Sequence, residues 1–125
     1  MAERIAPRTY YTEATIGTDA DGLSNIIDGK GYRLAKIFMP TEWTVADLTF
    51  QESPSPDGTF QDLYDDNETT PAEVTIKVSA EQNTVISSNK DKFTGMTYFR
   101  LRSGTSALPV PQTAERTIGL LFVGI

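Results

Sequence analysis

A chain of 125 residues has the length of a single domain, and its 38% hydrophobic and 22% charged residues are typical of a folded globular domain. The formal net charge is −6, and such an acidic surface repels phosphate backbones, so no direct contact with nucleic acid is expected. Cysteine and histidine are both absent, which excludes disulfides and thiolate chemistry and removes the commonest general base.

The chain begins with a segment that has no hydrophobic period. Residues 1–9 are therefore predicted to form an extended N-terminal arm, and residues 10–125 a single domain whose first strand covers residues 10–16. The arm carries charge and is not followed by an apolar run, so it does not resemble a signal peptide. We therefore expect the protein to be made and assembled in a cytoplasm.

Alternation of apolar and polar residues with period two continues through the domain and is typical of half-buried strands. Val74, Ile76 and Val78, separated by Thr75 and Lys77, form the clearest case. The pattern predicts strands at residues 32–39, 46–52, 73–79, 96–102 and 116–123. The residues predicted to form the core are Leu34, Phe38, Leu48, Phe50, Ile76, Val78, Phe99, Leu101, Leu120 and Phe122.

Turn signals separate these strands, among them Asp21-Gly22 and Gly29-Lys30-Gly31. No segment carries a sustained helical stripe of apolar residues, although a short turn is predicted around Phe93, with its ring under a loop. About eight short strands at this spacing predict an all-β fold, an antiparallel β-sandwich or jelly roll with short loops.

Acidic residues concentrate between Asp57 and Glu73, where six acids occur without a base. This segment is predicted to be a solvated edge. The run at residues 65–68 could hold a cation through oxygen ligands. The Asp19–Asp21 run resembles the start of a calcium loop, but it lacks the third ligand and the downstream bidentate glutamate. A plain acidic loop and a plain turn are the favoured interpretations.

From the missing residue types we expect no enzyme activity, no catalytic residues, no cofactor and no bound metal. No apolar run approaches the ~20 residues that span a bilayer, so no membrane contact is expected. The candidate sites are therefore contact residues for another protein. Ile5 and Pro7 of the arm and Tyr10 and Tyr11 of the first strand are candidates, because exposed apolar groups there would need a partner.

Two arginines near the end of the chain are further candidates. Arg100 and Arg102 alternate with Leu101 and are predicted to face outward beside Tyr98. They either bind a surface that carries carboxylates or cover the sheet and pair with neighbouring acids, and the sequence leaves both interpretations open. Trp43 is predicted to cap the core rather than to form an exposed ligand platform.

Several strand and turn segments, taken together, resemble small structural proteins of tailed bacteriophages and prophages. These segments are residues 34–40 with Trp43, 48–53, 57–60, 63–64, 93–95, 98–105 and 116–118. They span about residues 34–123 and are also similar to a reduced discoidin-type jelly roll, a group in which loops bind sugars or lipids. The matched residues belong to strands and turns, so the resemblance implies the fold more than a ligand.

The resemblance implies a virion protein that is assembled in the host bacterial cytoplasm. Its partners would be the major capsid protein or other virion proteins, and it would form a homo-oligomer on the particle. The leading hypothesis is a capsid decoration (cement) protein, which needs a rigid β body and a contact surface rather than chemistry. The alternatives are a tail, neck or baseplate subunit and, in a different class, a carbohydrate-binding module for attachment to the host surface.

Overall fold

The computed structural model describes residues 8–66, 70–86 and 90–124, and strands dominate its regular structure. The strands are β1 (Arg8–Ile16), β2 (Ile27–Asp28), β3 (Arg33–Phe38), β4 (Leu48–Ser53), β5 (Gln61–Asp62), β6 (Tyr64–Asp65), β7 (Ala72–Glu73), β8 (Asn83–Val85), β9 (Tyr98–Ser103) and β10 (Arg116–Gly124). One 3₁₀ turn, Lys90–Phe93, precedes β9. The prediction of an all-β chain is confirmed.

Two antiparallel four-stranded sheets form the body. Sheet A has the order β1-β10-β3-β8 and sheet B the order β2-β9-β4-β5, while β6 and β7 form a separate two-stranded ribbon. Leaving the ribbon aside, the first strand of the remaining eight pairs with the last, the second with the seventh, the third with the sixth and the fourth with the fifth. This nested pairing, divided between two packed sheets, is the topology of a jelly roll. The predicted β-sandwich is confirmed, and its strand pairing is that of a jelly roll.

The core lies between the two sheets and is rich in phenylalanine. Phe50 of sheet B meets Phe93 of the 3₁₀ turn edge to face at 4.8 Å between ring centroids, and Phe99 meets Phe122 of sheet A at 5.9 Å. Such pairs stabilise a core beyond the area that they bury. The predicted core residues that are buried are Leu34, Leu48, Phe50, Ile76, Val78, Phe99, Leu101, Leu120 and Phe122. The predicted burial of Phe93 and Trp43 is also confirmed.

Phe38 is the predicted core residue that lies outside the core. It is 37% exposed, while its neighbour Ile37 is fully buried. The pairing of β3 with β10 skips Ala35, so β3 contains a β-bulge between Leu34 and Lys36. An extra residue in one strand shifts the alternation of every residue after it. The bulge therefore turns Ile37 inward and Phe38 outward.

The segment predicted as a strand at residues 73–79 has the expected alternation of side-chain burial, but it does not pair with a neighbouring strand along its whole length. Val74, Ile76 and Val78 are buried as predicted. The main chain of Ile76 exchanges two hydrogen bonds of 2.9 Å with Leu48 as an isolated bridge. At the start of the segment Glu73 pairs with Tyr64 in the ribbon, and Val74 donates its N–H to the carbonyl of Leu63 at 2.9 Å. The side-chain pattern reports burial correctly, whereas strand pairing depends on which neighbour is within reach.

The first strand begins earlier than predicted. Arg8 and Thr9, which were predicted to belong to the arm, pair with Gly124 and Val123 of β10. Ile5 and Pro7 lie outside the described residues.

Candidate interaction surface

The outer face of sheet A carries a row of side chains that crosses all four strands. The register places Tyr11 beside Leu121, Leu121 beside Lys36 and Lys36 beside Val85. The pleat directs these four side chains to one face, because residues directly opposite in antiparallel strands share a face. Tyr11 is 52% exposed and Val85 58% exposed, so much of this row is open to solvent.

The next row places Phe38 beside Gly119 and in contact with Tyr11. The two rings meet edge to face at 6.2 Å between centroids. A Cβ atom at position 119 would collide with the Tyr11 ring and hydroxyl, so the glycine lets the two rings close over β10. We call Tyr11, Phe38, Val85 and Leu121 the outer patch.

The hydroxyl of Tyr11 is the polar atom of the outer patch. It donates a hydrogen bond of 3.4 Å to Oε2 of Glu13 on the same strand. Partial burial of the phenol, and then the negative charge and hydrogen bond of Glu13, raise the pKa of Tyr11 above its ordinary value. The outer patch thus presents a neutral phenol beside aliphatic side chains.

Tyr10, the other predicted contact residue of β1, lies on the opposite face of the strand. Its ring stacks on Phe122 at 5.5 Å and meets Tyr32 edge to face at 6.3 Å. The ammonium group of Lys30 lies 4.3 Å from the centre of the same ring. Tyr10 is half-buried by these contacts within the chain, so of the two tyrosines Tyr11 is the exposed one.

Arg102 points toward the outer side of sheet B as predicted, but it is not exposed. It retains only 5% of its surface and forms ion pairs with Asp62, at 2.5 Å, and Glu73, at 2.9 Å. A guanidinium group taken out of water needs such partners, because an unpaired buried charge is strongly destabilising. Of the two interpretations that the sequence leaves open, the ion pairs support the one in which Arg102 pairs with neighbouring acids, and its role as a contact residue stays a prediction.

The acidic segment, residues 57–73, explains this burial. Glu73 accepts hydrogen bonds from the main-chain N–H and the hydroxyl of Ser106 as well as from Arg102, and Asp65 forms an ion pair with Lys92 at 2.6 Å. Asp57 and Asp66 are exposed, and Glu68 lies outside the described residues. The predicted solvated edge is thus in part a cover over sheet B, held by opposite charges.

Arg100 differs from Arg102, although both lie on the same side of β9. Its guanidinium carbon is 4.5 Å from the centre of the Phe60 ring, and no carboxylate pairs with it among the residues that the structure describes. Its Nε atom is buried and has no hydrogen-bond partner within residues 8–66, 70–86 and 90–124. Of the two predicted arginines, Arg102 is therefore the one that the described acids pair with.

A shallow cleft of about 280 Å³ lies at the ends of β4 and β5. Two carboxylates line it, those of Glu52 and Asp62. Glu52 accepts hydrogen bonds of 2.8 Å from both the main-chain N–H and the hydroxyl of Thr97. No three acidic side chains lie close enough to share a metal ion within residues 8–66, 70–86 and 90–124. The Asp19–Asp21 run forms a turn in which Gly22 donates to the carbonyl of Asp19.

Sequence reasoning missed most of the outer patch, since Phe38 was predicted to be buried and neither Val85 nor Leu121 was singled out. Apolar residues occur on both parities of β3 and β10, a pattern that is typical of strands covered on both faces. The two strands are indeed central in sheet A, but the outer parity of each stays at the surface. Gly119 in the middle of a strand is the signal that could have indicated a close approach of side chains.

No protein-family model matches the chain, and neither do the curated proteins or the solved structures with which it was compared. The class of this protein is therefore defined by its own architecture, a jelly-roll β-sandwich with an apolar patch on the outer face of sheet A. Among the residues that the structure describes, no helix is long and apolar enough to cross a membrane.

Proposed function

We propose that this protein is a non-enzymatic structural subunit that binds another protein through the outer patch. The observation that carries the proposal is the exposure of Tyr11, Phe38 and Val85 on one face of a rigid sheet. Contiguous exposed apolar and aromatic side chains are typical of protein interaction sites. The ion pairs of Arg102 with Asp62 and Glu73, by contrast, lie within the chain and hold the fold together.

The charge around the outer patch supports an acidic partner surface. Arg33 and Lys36 lie on the same face of sheet A, and Glu13 is the acid of this face within the described strands. This face is therefore locally positive on a chain with a net charge of −6. Complementary charge at the rim would orient the encounter with a partner.

Within this class we propose a capsid decoration protein on the virion of a tailed phage, with the major capsid protein as partner. The finer assignment rests on the sequence resemblance over about residues 34–123, and the jelly-roll body is compatible with it. Many equivalent sites on a shell make modest single contacts sufficient through avidity. A tail, neck or baseplate subunit would use the same patch on another part of the particle.

A carbohydrate-binding module is less well supported by the geometry. The rings of Tyr11 and Phe38 cross at 65°, so they do not form one flat platform for a sugar ring. Trp43 is 9% exposed and donates its indole N–H to the carbonyl of Ala46. Tyr64 is exposed, but it lies on the β6–β7 ribbon away from sheet A.

The first prediction tests the outer patch on particles. Phage particles from the strain that carries this gene are separated into emptied heads and tails, and the purified protein is added to each. We expect co-sedimentation with heads, and we expect the double substitution Phe38→Ser and Val85→Ser to weaken it by about tenfold or more. The matched control is Val45→Ser, since Val45 is 89% exposed but lies outside the outer patch.

Full occupancy of heads by the double variant would contradict a role for the outer patch. Binding to tails but not to heads would replace the decoration role with the tail, neck or baseplate role. Binding to neither part of the particle would contradict a virion function.

A further inference from the structure

The strand β1 is an edge of sheet A, and it is unusually long and regular for an edge. Its nine residues pair with β10 on one side in an unbroken register. Natural edge strands are usually short, bulged, or interrupted by proline or lysine, because an open edge recruits another strand. None of these features occurs in β1, whereas β8 at the other edge has three residues.

The main-chain groups of β1 alternate in direction. Thr15 donates its N–H to Oδ1 of Asn25 at 2.8 Å, and its carbonyl accepts from the N–H of Asn25 at 3.3 Å, so Thr15 points away from β10. In an antiparallel strand every second residue points the same way. Thr9, Tyr11 and Glu13 therefore direct their N–H and C=O groups to the open edge, where no described residue pairs with them.

The stretch of β1 whose main-chain groups are unpaired is limited on both sides. At one end Asn25 already occupies the main chain of Thr15. At the other end, position 7 is proline, which has no N–H to donate. The unused groups thus belong to Thr9, Tyr11 and Glu13, a set that is symmetric about Tyr11.

We propose that two copies of this chain pair antiparallel along β1, with a two-fold axis at Tyr11, so that their A sheets form one continuous sheet. This is the antiparallel register that uses all three open residues of both copies. It places Tyr11 opposite Tyr11, and Thr9 opposite Glu13, with about six main-chain hydrogen bonds. A register shifted by two residues in either direction would meet the proline or the occupied Thr15.

The side chains on β1 are compatible with a second copy of this chain as the partner. Glu13 of one copy lies opposite a threonine of the other, so no like charges face each other in this register. Arg8 and Glu13 balance each other along the strand, which keeps this edge neutral on an acidic chain. The two Tyr11 side chains meet at the axis and join the two outer patches into one surface. The inference does not depend on the proposed virion role.

The second prediction uses disulfide cross-linking, for which a chain without cysteine is well suited. Tyr11→Cys should form a covalent dimer under mild oxidation, because opposite hydrogen-bonded residues have Cα atoms about 5.5 Å apart, within disulfide range. Thr9→Cys and Glu13→Cys should cross-link when mixed but not separately, since like positions lie more than ~13 Å apart in this register. Val85→Cys, at the opposite edge of sheet A, is the control and should remain uncross-linked.

Sedimentation equilibrium supplies the non-covalent test. The wild-type chain should be dimeric, and Tyr11→Lys should be monomeric because it places two ammonium groups opposite each other at the axis. Glu13→Pro should also weaken the dimer, since it removes an edge N–H without touching the bonds to β10. Val85→Lys should stay dimeric, and circular dichroism should show the same fold in all variants.

A wild-type chain that is monomeric at every concentration would overturn the proposal and leave the edge to a strand from another protein. A dimer that Tyr11→Lys does not weaken would place the interface elsewhere. Self-cross-linking of Thr9→Cys would overturn the register. These experiments contain no phage particle, so their failure is distinct from failure of the virion role, which is tested with Phe38 and Val85.

Discussion

Arg102 and Arg100 have the same side chain and lie on the same strand, but they make different contacts. Both follow the outward parity of β9, and the acidic segment contacts both, but in different ways. Arg102 connects Asp62 at the edge of sheet B with Glu73 of the ribbon. Arg100 lies against the ring of Phe60, and no carboxylate pairs with it in the described part of the chain.

The third prediction compares these two arginines. Arg102→Met should lower the free energy of unfolding by about 3 kcal/mol, because it leaves the partly buried Asp62 and Glu73 without their cation. Arg100→Met should cost no more than about 1 kcal/mol, the size of a cation–π contact. Urea unfolding followed by tryptophan fluorescence measures both, since the chain contains one tryptophan. Equal losses for the two variants would show that the ion pairs do not support the fold.

At the scale of single elements, the β-bulge in β3 decides which residues of that strand belong to the core. An unbroken alternation from Leu34 onward predicts that Phe38 faces the core. With Ala35 looped out of the register, Ile37 takes the inner position. One extra residue therefore moves an aromatic side chain from the core to the outer patch.

The fourth prediction tests which side chains of β3 face the core. Ile37→Ala should lower the free energy of unfolding by about 2–4 kcal/mol, because it removes a fully buried side chain. Phe38→Ala should cost about 1 kcal/mol, since it loses mainly the edge-to-face contact with Tyr11. Thermal and urea unfolding of the two variants give the comparison. The reverse order of losses would mean that β3 is regular and that Phe38 lies in the core.

At the scale of the whole molecule, the nested pairing of strands joins the two ends of the chain. The first strand pairs with the last over nine residues, so sheet A is closed by contacts between the most distant parts of the sequence. Such pairings make folding slow, because distant parts of the chain must meet before they stabilise one another. Within the described residues, the pairing that joins the two ends begins at Arg8.

The fifth prediction follows from the position at which this pairing begins. Deleting residues 2–7 should leave the melting temperature nearly unchanged, because the pairing of β1 begins at Arg8. If Ile5 and Pro7 contact a shell, as the sequence predicts, the same deletion should sharply lower occupancy on emptied heads. Differential scanning calorimetry and co-sedimentation measure the two effects on one preparation. A truncated chain that still decorates heads fully would remove the arm from the interface, and a large fall in melting temperature would show that the arm supports the fold.

The amino-acid sequence by itself determined the all-β class, the two-sheet architecture and nine of the ten predicted core residues, the exception being Phe38. These features follow from local alternation and turn chemistry, which report whether a side chain is buried and where the chain reverses. The burial of Phe93 in a short turn was likewise readable from the residues around it.

Only the tertiary structure decided which strands are neighbours and what covers each face. The pairing of β1 with β10, the bulge at Ala35 and the ion pairs of Arg102 all join residues that are far apart in sequence or depend on such a pairing. A period-two pattern contains no information about its partner strand, because any half-buried strand shows the same alternation. For the same reason the pattern could not show that the apolar outer face of sheet A stays open.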